Sequence, residues 1–389
     1  MLGSAVSHAV DMNDYLDVRV VLAQTGKPGE VAWKLHAPGG FVIANYHNAE
    51  VTESIRKKDI TLSVKKGHLA INGKPLATDG VEIKPLKHKS TTYGGNMYAG
   101  SFLLLRFKKE FYLINMLPLE EYVFSVLRWE GWPGWPLEIN RVLAIMCRTY
   151  VLAKLAEIRR HDGSRARRPY DIKATNMHQT YKGLHNFNGL RQAVEDTKGM
   201  VMTYAGKPIV AMYDICCGGV VPAHLDGGID FKKAPYLARE HACTYCRSCK
   251  LYSWRLQYNL SDFHDIIKSG RYNAVPVKDI SVSNIDKAGV VREVTIATNS
   301  TKLALTGQKI YSLCKDIKSL CFTVKKQGKK IIFNGKGWGH HLGLCQWGAR
   351  EMVRQGWKCK EILRFFYPGV SFSHIELVQG DVCQDTKGT

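Results

Sequence analysis

Three groups of residues could do chemistry. The first is Glu130 in RWEGWPGW, with Trp129 beside it and Trp132 and Trp135 within five residues. Indole rings around a carboxyl can desolvate it and raise its pKa, which suits a general acid. Taken alone, the plainer reading is an exposed loop glutamate whose tryptophans lie in the core. The second group is GKGWGHHLGLCQWGA, Gly335 to Ala349. Its glycines let backbone run close to a ligand or a neighbouring strand, its tryptophans offer flat faces of the kind that pack on sugar rings, and His340 and His341 could donate hydrogen bonds or bind metal. A tight buried turn is the competing reading. A dinucleotide loop is excluded, because neither glycine frame gives G-x-G-x-x-G. The third group is C-x-x-C-x-x-C at Cys243, Cys246 and Cys249, with Cys216, Cys217 and His241 nearby. This spacing suits zinc, and in an oxidising compartment the same thiols would form disulfides.

The elements that must position these groups follow from periodicity. From about Asp17 to Phe111, short β-rich runs alternate with glycine turns, which predicts antiparallel sheet. LEINRVLAIMCRTYVLAKLAEI, Leu137 to Ile158, puts Val142, Ile145, Thr149, Leu152 and Leu155 on one stripe behind Pro136 and predicts one long helix. GLRQAVEDTKG reads as a second helix stopped at Gly199, MVMTYA and KPIVAMYDI as strands, and FTVKKQGKKIIF as a hairpin. Two short helices, LCQWGAREMVRQ and KEILRFF, close the chain before YPGV. The expected fold class is α+β: an antiparallel β-rich chain with one long central helix and short C-terminal helices lining a cleft. Three regions are expected: β-rich 1–95; 96–210, with Glu130 and the long helix; and 211–380, with the cysteines, hairpins and glycine-rich stretch.

With 389 residues, 45% of them apolar, the chain can bury substantial cores. Its 55 Lys and Arg against 34 Asp and Glu give a net charge of +21, which favours a polyanionic partner. The basic run RRHDGSRARRPY has no nucleic-acid motif around it and no interleaved aromatics, so nucleic acid is not the expected partner. No apolar run is long enough to span a bilayer, and the first residues do not read as a secretory signal or anchor.

The glycine-rich stretch and the helix after it resemble the C-terminal signature of the stage II sporulation protein D (SpoIID/LytB) family, G-x-G-W-G-H-G-x-G-x-x-Q-x-G-A. LPLEEYVFSVLRWEGWPGWPLEINRVLAIMCRTYVLAK is similar to that family's segment from L-P-L-E to R-T-Y, HQTYKG to its Q-x-Y-x-G, and GKPIVAMYDICCGGVVPAH to its segment ending S-S-G-G or S-C-G-G. The resemblance runs from about Val18 to Val378. It implies a peptidoglycan lytic transglycosylase acting on glycan strands stripped of peptide, at the cell envelope and outside the cytoplasm. The other branch of the family consists of amidase enhancers, which implies as alternative a non-catalytic glycan-binding activator of a cell-wall amidase.

Carried over by position, Glu130 is the catalytic glutamate, and Arg141, Arg148, Gln179, Tyr181, Trp338, His340 and Gln346 are substrate-binding. No cofactor is needed for catalysis. One glutamate suffices in such a reaction, because the sugar's own C6 hydroxyl attacks the anomeric carbon; the carboxyl first gives and then takes a proton. Arg141 and Arg148, seven residues apart on one helix face, could pair with lactyl carboxylates, or with Glu138 and other acids as ordinary bridges. The sequence departs from the family pattern at Pro133, Arg141, Leu143, Cys217 and His341. His341, where the family prefers glycine, is expected to narrow the cleft wall.

The resemblance also implies a disulfide from Cys216 or Cys217 to the 243–249 cluster, against a structural zinc on Cys217, Cys243, Cys246 and Cys249. A separate zinc site of some relatives falls on Lys173, Met177 and His178, which leaves one ligand and no site. Cys147, Cys314, Cys321, Cys345, Cys359 and Cys383 read mostly as buried apolar residues.

Overall fold

A computed structural model describes residues 17–26, 32–65, 67–87, 90–162, 167–175, 177–272 and 276–375. Cys383 and part of the basic run lie outside them. The class is α+β and β-rich. The chain forms two units, one of Met1–Val210 with Ser371–Thr389 and one of Ala211–Val370.

The first unit holds a seven-stranded and a six-stranded sheet. In the larger one, Asp17–Thr25 runs antiparallel to Glu110–Pro118, with Val20 opposite Asn115, and Ile172–Lys173 adds the one parallel pairing at the edge. Ser101–Phe107, next to Glu110–Pro118, buries residues 101–105 without alternation because both its faces are covered. By contrast, Asp59–Lys65 in the smaller sheet buries only Ile60, Leu62 and Val64, the period-two pattern of a strand with one wet face. The boundary expected at residue 96 falls inside a hairpin, Ser90–Tyr93 against Asn96–Ala99.

Helix α1, Leu119–Glu130, follows directly from the strand ending at Pro118. Glu120 and Glu121 sit in its first turn and Arg128 in its last, each sign matching the helix dipole. It stops at Gly131, whose N–H reaches the Leu127 carbonyl at 3.0 Å. Helix α2, Leu137–Asp162, is buried on every side from Val142 to Ala153. Helix α3, Asn188–Asp196, precedes Met200–Tyr204, which pairs antiparallel with the returning strand Ser371–His374.

The second unit holds two three-stranded sheets. One is Ser253–Asn259, Lys330–Lys336 and Phe322–Gln327; the other is Asp279–Ile285, Val291–Ala297 and Lys302–Thr306. With α4, Leu260–Ser269, and α5, Gly307–Leu313, they enclose a core around Phe263, Val294, Ile310 and Phe333. Two short helices follow, α6 (Gln346–Arg354) and α7 (Cys359–Phe366). The run KPIVAMYDI, expected as one strand, forms only Lys207–Pro208 and Tyr213–Asp214. Its backbone pairs with different elements along its length: the Ile209 amide with Met202, and the Tyr213–Asp214 strand in parallel with Leu344–Cys345.

Candidate functional site

Glu130 is the last residue of α1, where the helix has left the core and its side chain is half-buried. One carboxyl oxygen accepts the backbone N–H of Thr180. The rings around it are not in the core. Trp129 is 41% and Trp132 52% exposed, and Trp132 stacks on Trp135 with centroids 6.2 Å apart. Cations lie over the same surface: Lys182 Nζ is 4.3 Å and the Arg128 guanidinium 5.1 Å from the Trp129 ring, and Arg128 also covers the exposed Phe187. Arg128, Lys182 and Phe187 escaped the sequence reading. Their signal was weak, since each is an ordinary residue beside a motif. On its inner side the glutamate faces Tyr122, Cys147 and Tyr150; burial pushes the Tyr150 phenol up to about 12, with the charges of Glu157 and Glu130 adding to the effect.

Gln179 and Tyr181 flank Thr180, and both are buried. Gln179 is fully buried; its Oε1 accepts the Tyr122 hydroxyl at 3.0 Å and its Nε2 donates to the Cys147 carbonyl at 3.4 Å. The Tyr181 hydroxyl donates to Asn115 Oδ1, and its ring stacks on Tyr122. The Q-x-Y element therefore anchors the segment from which the Thr180 amide holds Glu130.

Arg141 and Arg148 of α2 are likewise occupied. Arg148 has no exposed side-chain surface; it makes a two-pronged pair with Glu120 at 2.6 and 2.9 Å and donates to the Met200 carbonyl at 3.1 Å. Arg141 binds Glu138 at 2.7 Å and Asp196 at 2.5 Å. These are the ordinary bridges weighed in the sequence reading, and they join α2 to α1 and α3. Leu143 is fully buried under the backbone of Gly131. Farther along, Met177 is exposed and His178 Nδ1 accepts the Lys173 amide at 3.2 Å.

In the second unit the glycine-rich stretch is organised by a residue the sequence reading passed over, Asp214. Its buried carboxylate accepts the His340 N–H at 2.8 Å and the N–H of His341. Its signal was a lone carboxylate in an apolar run, which must find donors if it is buried. Gly339, at φ +136°, is glycine of necessity, because a Cβ there would lie 2.1 Å from Asp214 Oδ1. His340 is exposed; its Nδ1 lies 3.1 Å from the Leu342 amide nitrogen and 3.2 Å from Asp214 Oδ1. The Trp338 ring is half-buried under Lys318 Nζ at 4.7 Å, and Gln346 is buried as the first residue of α6.

His341 was expected to narrow the cleft wall. Its ring is instead 1% exposed, with Nδ1 3.0 Å from the Cys217 carbonyl, and burial lowers its pKa. Its φ of +68° is one that glycine adopts freely and that costs a side-chain-bearing residue about 1–2 kcal/mol.

The ten described cysteines are all buried and unbridged. Among the described residues, one group could hold a metal ion: Cys217, Cys243, Cys246 and Cys345, with all four sulfurs within 4.8 Å of one another. Cys249, expected as the fourth ligand, is replaced by Cys345. A turn closed by the Cys249 N–H on the Cys246 carbonyl carries the Cys249 sulfur to the Leu251 amide at 3.3 Å.

Residues 108–204, which include Glu130, α2 and the Thr180 segment, match the family model described as Stage II sporulation protein (SpoIID), and residues 239–343 match that of a domain of unknown function, DUF8618. An uncharacterized protein of Brachyspira hyodysenteriae is 26% identical over 95% of this chain and 96% of its own length. The Stage II sporulation protein D of Bacillus amyloliquefaciens is 25% identical over 68% of this chain and 76% of its own. An Amidase enhancer of Bacillus subtilis is 25% identical over 62% of this chain, and the match spans 38% of that longer protein. The chain thus carries a Stage II sporulation protein (SpoIID) domain around Glu130, and its similarity to relatives of that name extends over about two thirds of its length.

Proposed function

We propose that this protein is a lytic transglycosylase that cuts the bond between N-acetylmuramic acid and N-acetylglucosamine in peptidoglycan strands, acting outside the cytoplasm at the cell envelope. The observation that carries the reading is Glu130 at the end of α1, held by the Thr180 amide beside two exposed tryptophans and two cations. Trp129 and Trp132 supply faces for sugar rings, and Lys182 and Arg128 supply charge for the lactyl carboxylates of peptide-stripped muramic acid. They take the part first given to Arg141 and Arg148, whose donors are engaged by acids of this chain. Glu130 protonates the leaving oxygen; the muramic C6 hydroxyl then attacks the anomeric carbon and gives its proton to the same carboxylate, leaving a 1,6-anhydro sugar. Water is not consumed. The net charge of +21 supports capture of an anionic wall polymer.

The test is release of 1,6-anhydro products from peptide-free glycan strands by purified protein. Glu130→Gln is expected to abolish release and to retain strand binding; undiminished turnover in this variant would rule the mechanism out. The amidase-enhancer relative favours a second reading, in which the same surface binds glycan and stimulates a wall amidase without cutting. That reading predicts no anhydro product from the wild type and amidase stimulation that survives Glu130→Gln.

A further inference from the structure

We infer that Cys217, Cys243, Cys246 and Cys345 bind one zinc ion as a closed tetrathiolate site. The distances carry the inference. Four sulfurs at about 2.3 Å from a tetrahedral ion stand about 3.8 Å apart, and the Cys217 and Cys246 sulfurs are 3.7 Å apart with the whole set within 4.8 Å. A disulfide would bring two of them to about 2.05 Å. A multi-iron cluster, whose cysteine sulfurs lie outside a core of metal and sulfide, would need them farther apart.

The surroundings fit thiolates. Cys345 caps α6, and its sulfur accepts two backbone N–H groups, from Cys217 and from Gly348, each at 3.3 Å. Gly348 leaves the space the sulfurs occupy: a Cβ there would lie 2.6 Å from Cys243 Sγ and 3.2 Å from Cys345 Sγ.

The site also answers a structural need. Between Asp214 and Ser253 the only regular elements are two single-turn 3₁₀ helices, Pro222–His224 and Pro235–Leu237. Such a segment has few ladder bonds of its own, and an ion joining it at three cysteines to the N-cap of α6 fixes it. Four thiolates leave no open position, so the ion is structural; the four thiols release their protons to solvent as it binds. Because Cys345 directly precedes Gln346 and the Cys217 carbonyl meets His341, the ion sets the shape of the glycine-rich stretch.

The experiment is metal analysis of the full chain purified without chelator, followed by replacement with cobalt. One zinc per chain and the sulfur-to-metal charge-transfer band of tetrahedral cobalt thiolate are expected. Cys345→Ser lowers zinc retained after dialysis against a chelator at least about tenfold, and Cys249→Ser keeps a full equivalent. Cys345→His covers the case of a serine variant that fails to fold: it keeps one equivalent of cobalt and lowers the charge-transfer band in proportion to the lost sulfur. The inference is overturned by a chain that takes up neither zinc nor cobalt, by mass spectrometry that finds Cys217 or Cys345 in a disulfide, or by a Cys249→Ser variant that loses the metal while Cys345→Ser keeps it.

Discussion

The end of α1 and the glycine-rich stretch are both dense in recognisable residues, yet they are built in opposite ways. Around Glu130, the polar residues of the recognised motif face inward and are satisfied by one another: Arg148 by Glu120, Gln179 by Tyr122, Tyr181 by Asn115. What faces solvent is a carboxyl fixed by a backbone amide, with the neighbouring tryptophans and with Arg128, Lys182 and Phe187, which no motif singled out. In the second unit, the motif's backbone bonds one residue at a time to several different segments, Gly337 to Tyr252, Trp338 to Cys216 and Gly339 to Lys318, and its shape depends as well on side chains outside it, the Asp214 carboxylate and the Cys217, Cys243 and Cys246 thiols. The first region is a rigid mount for an exposed group, and the second is a loop tied from behind. A motif residue can thus matter for where it puts its neighbour more than for what it touches.

The comparison can be broken at several points. Glu130→Gln should lower anhydro-sugar release by roughly 10²–10⁴-fold, the worth of a general acid-base group, with no change in the urea midpoint. A matching loss of stability would make the residue structural. Arg148→Met should cost about 3–5 kcal/mol, because it leaves the Glu120 carboxylate, whose side chain is 14% exposed, with the Gly199 amide but without its countercharge; hydrogen exchange should show the loss in α1 and α2 and leave the sheets of the second unit protected. Asp214→Asn should cost about 1.5–3 kcal/mol by turning one acceptor of the two histidine amides into a donor, with faster exchange confined to the glycine-rich stretch. If the exchange spreads instead through the first unit, the contrast between the two regions fails.

The smallest effect is that of pH. Burial, with nearby lysines, lowers His178, and burial also lowers His185, whose Nε2 lies 2.7 Å from the Phe124 carbonyl. A histidine depressed in the folded state takes up its proton first in the unfolded chain, near the ordinary value of about 6.5. Its contribution to stability is therefore present above that pH and is lost as pH falls through it towards the folded value. The urea midpoint of the first unit should drop on acidification over that window, and less so in a His178→Gln, His185→Gln double variant.

Much of the fold was legible because period and punctuation agree with packing. Pro136 and the stripe from Val142 to Leu155 mark α2, and the hairpin Phe322–Gln327 with Lys330–Lys336 turns at its glycine. KPIVAMYDI misled because apolar composition reports burial, while strand length depends on whether one partner runs alongside, and here several do. At the site, the spacing found Glu130 but could not say which way Gln179, Tyr181 and Arg148 face, since direction depends on a register that distant strands set. Cys345 was read as filler for a related reason: ligand spacing is visible within C-x-x-C and invisible when the fourth sulfur arrives from about a hundred residues later.

The pairing of Met200–Tyr204 with Ser371–His374 has a consequence for synthesis. The chain leaves the first unit at Val210 and re-enters it only at Ser371, so this sheet lacks its last strand until the whole of Ala211–Val370 has been made. At ordinary translation speeds that interval is roughly 10–30 s. During it the edge of Met200–Tyr204, buried at Val201 and Met202 in the finished protein, waits unpaired. A nascent chain stalled or cut before Ser371 would thus carry its defect in the unit it had begun to build first.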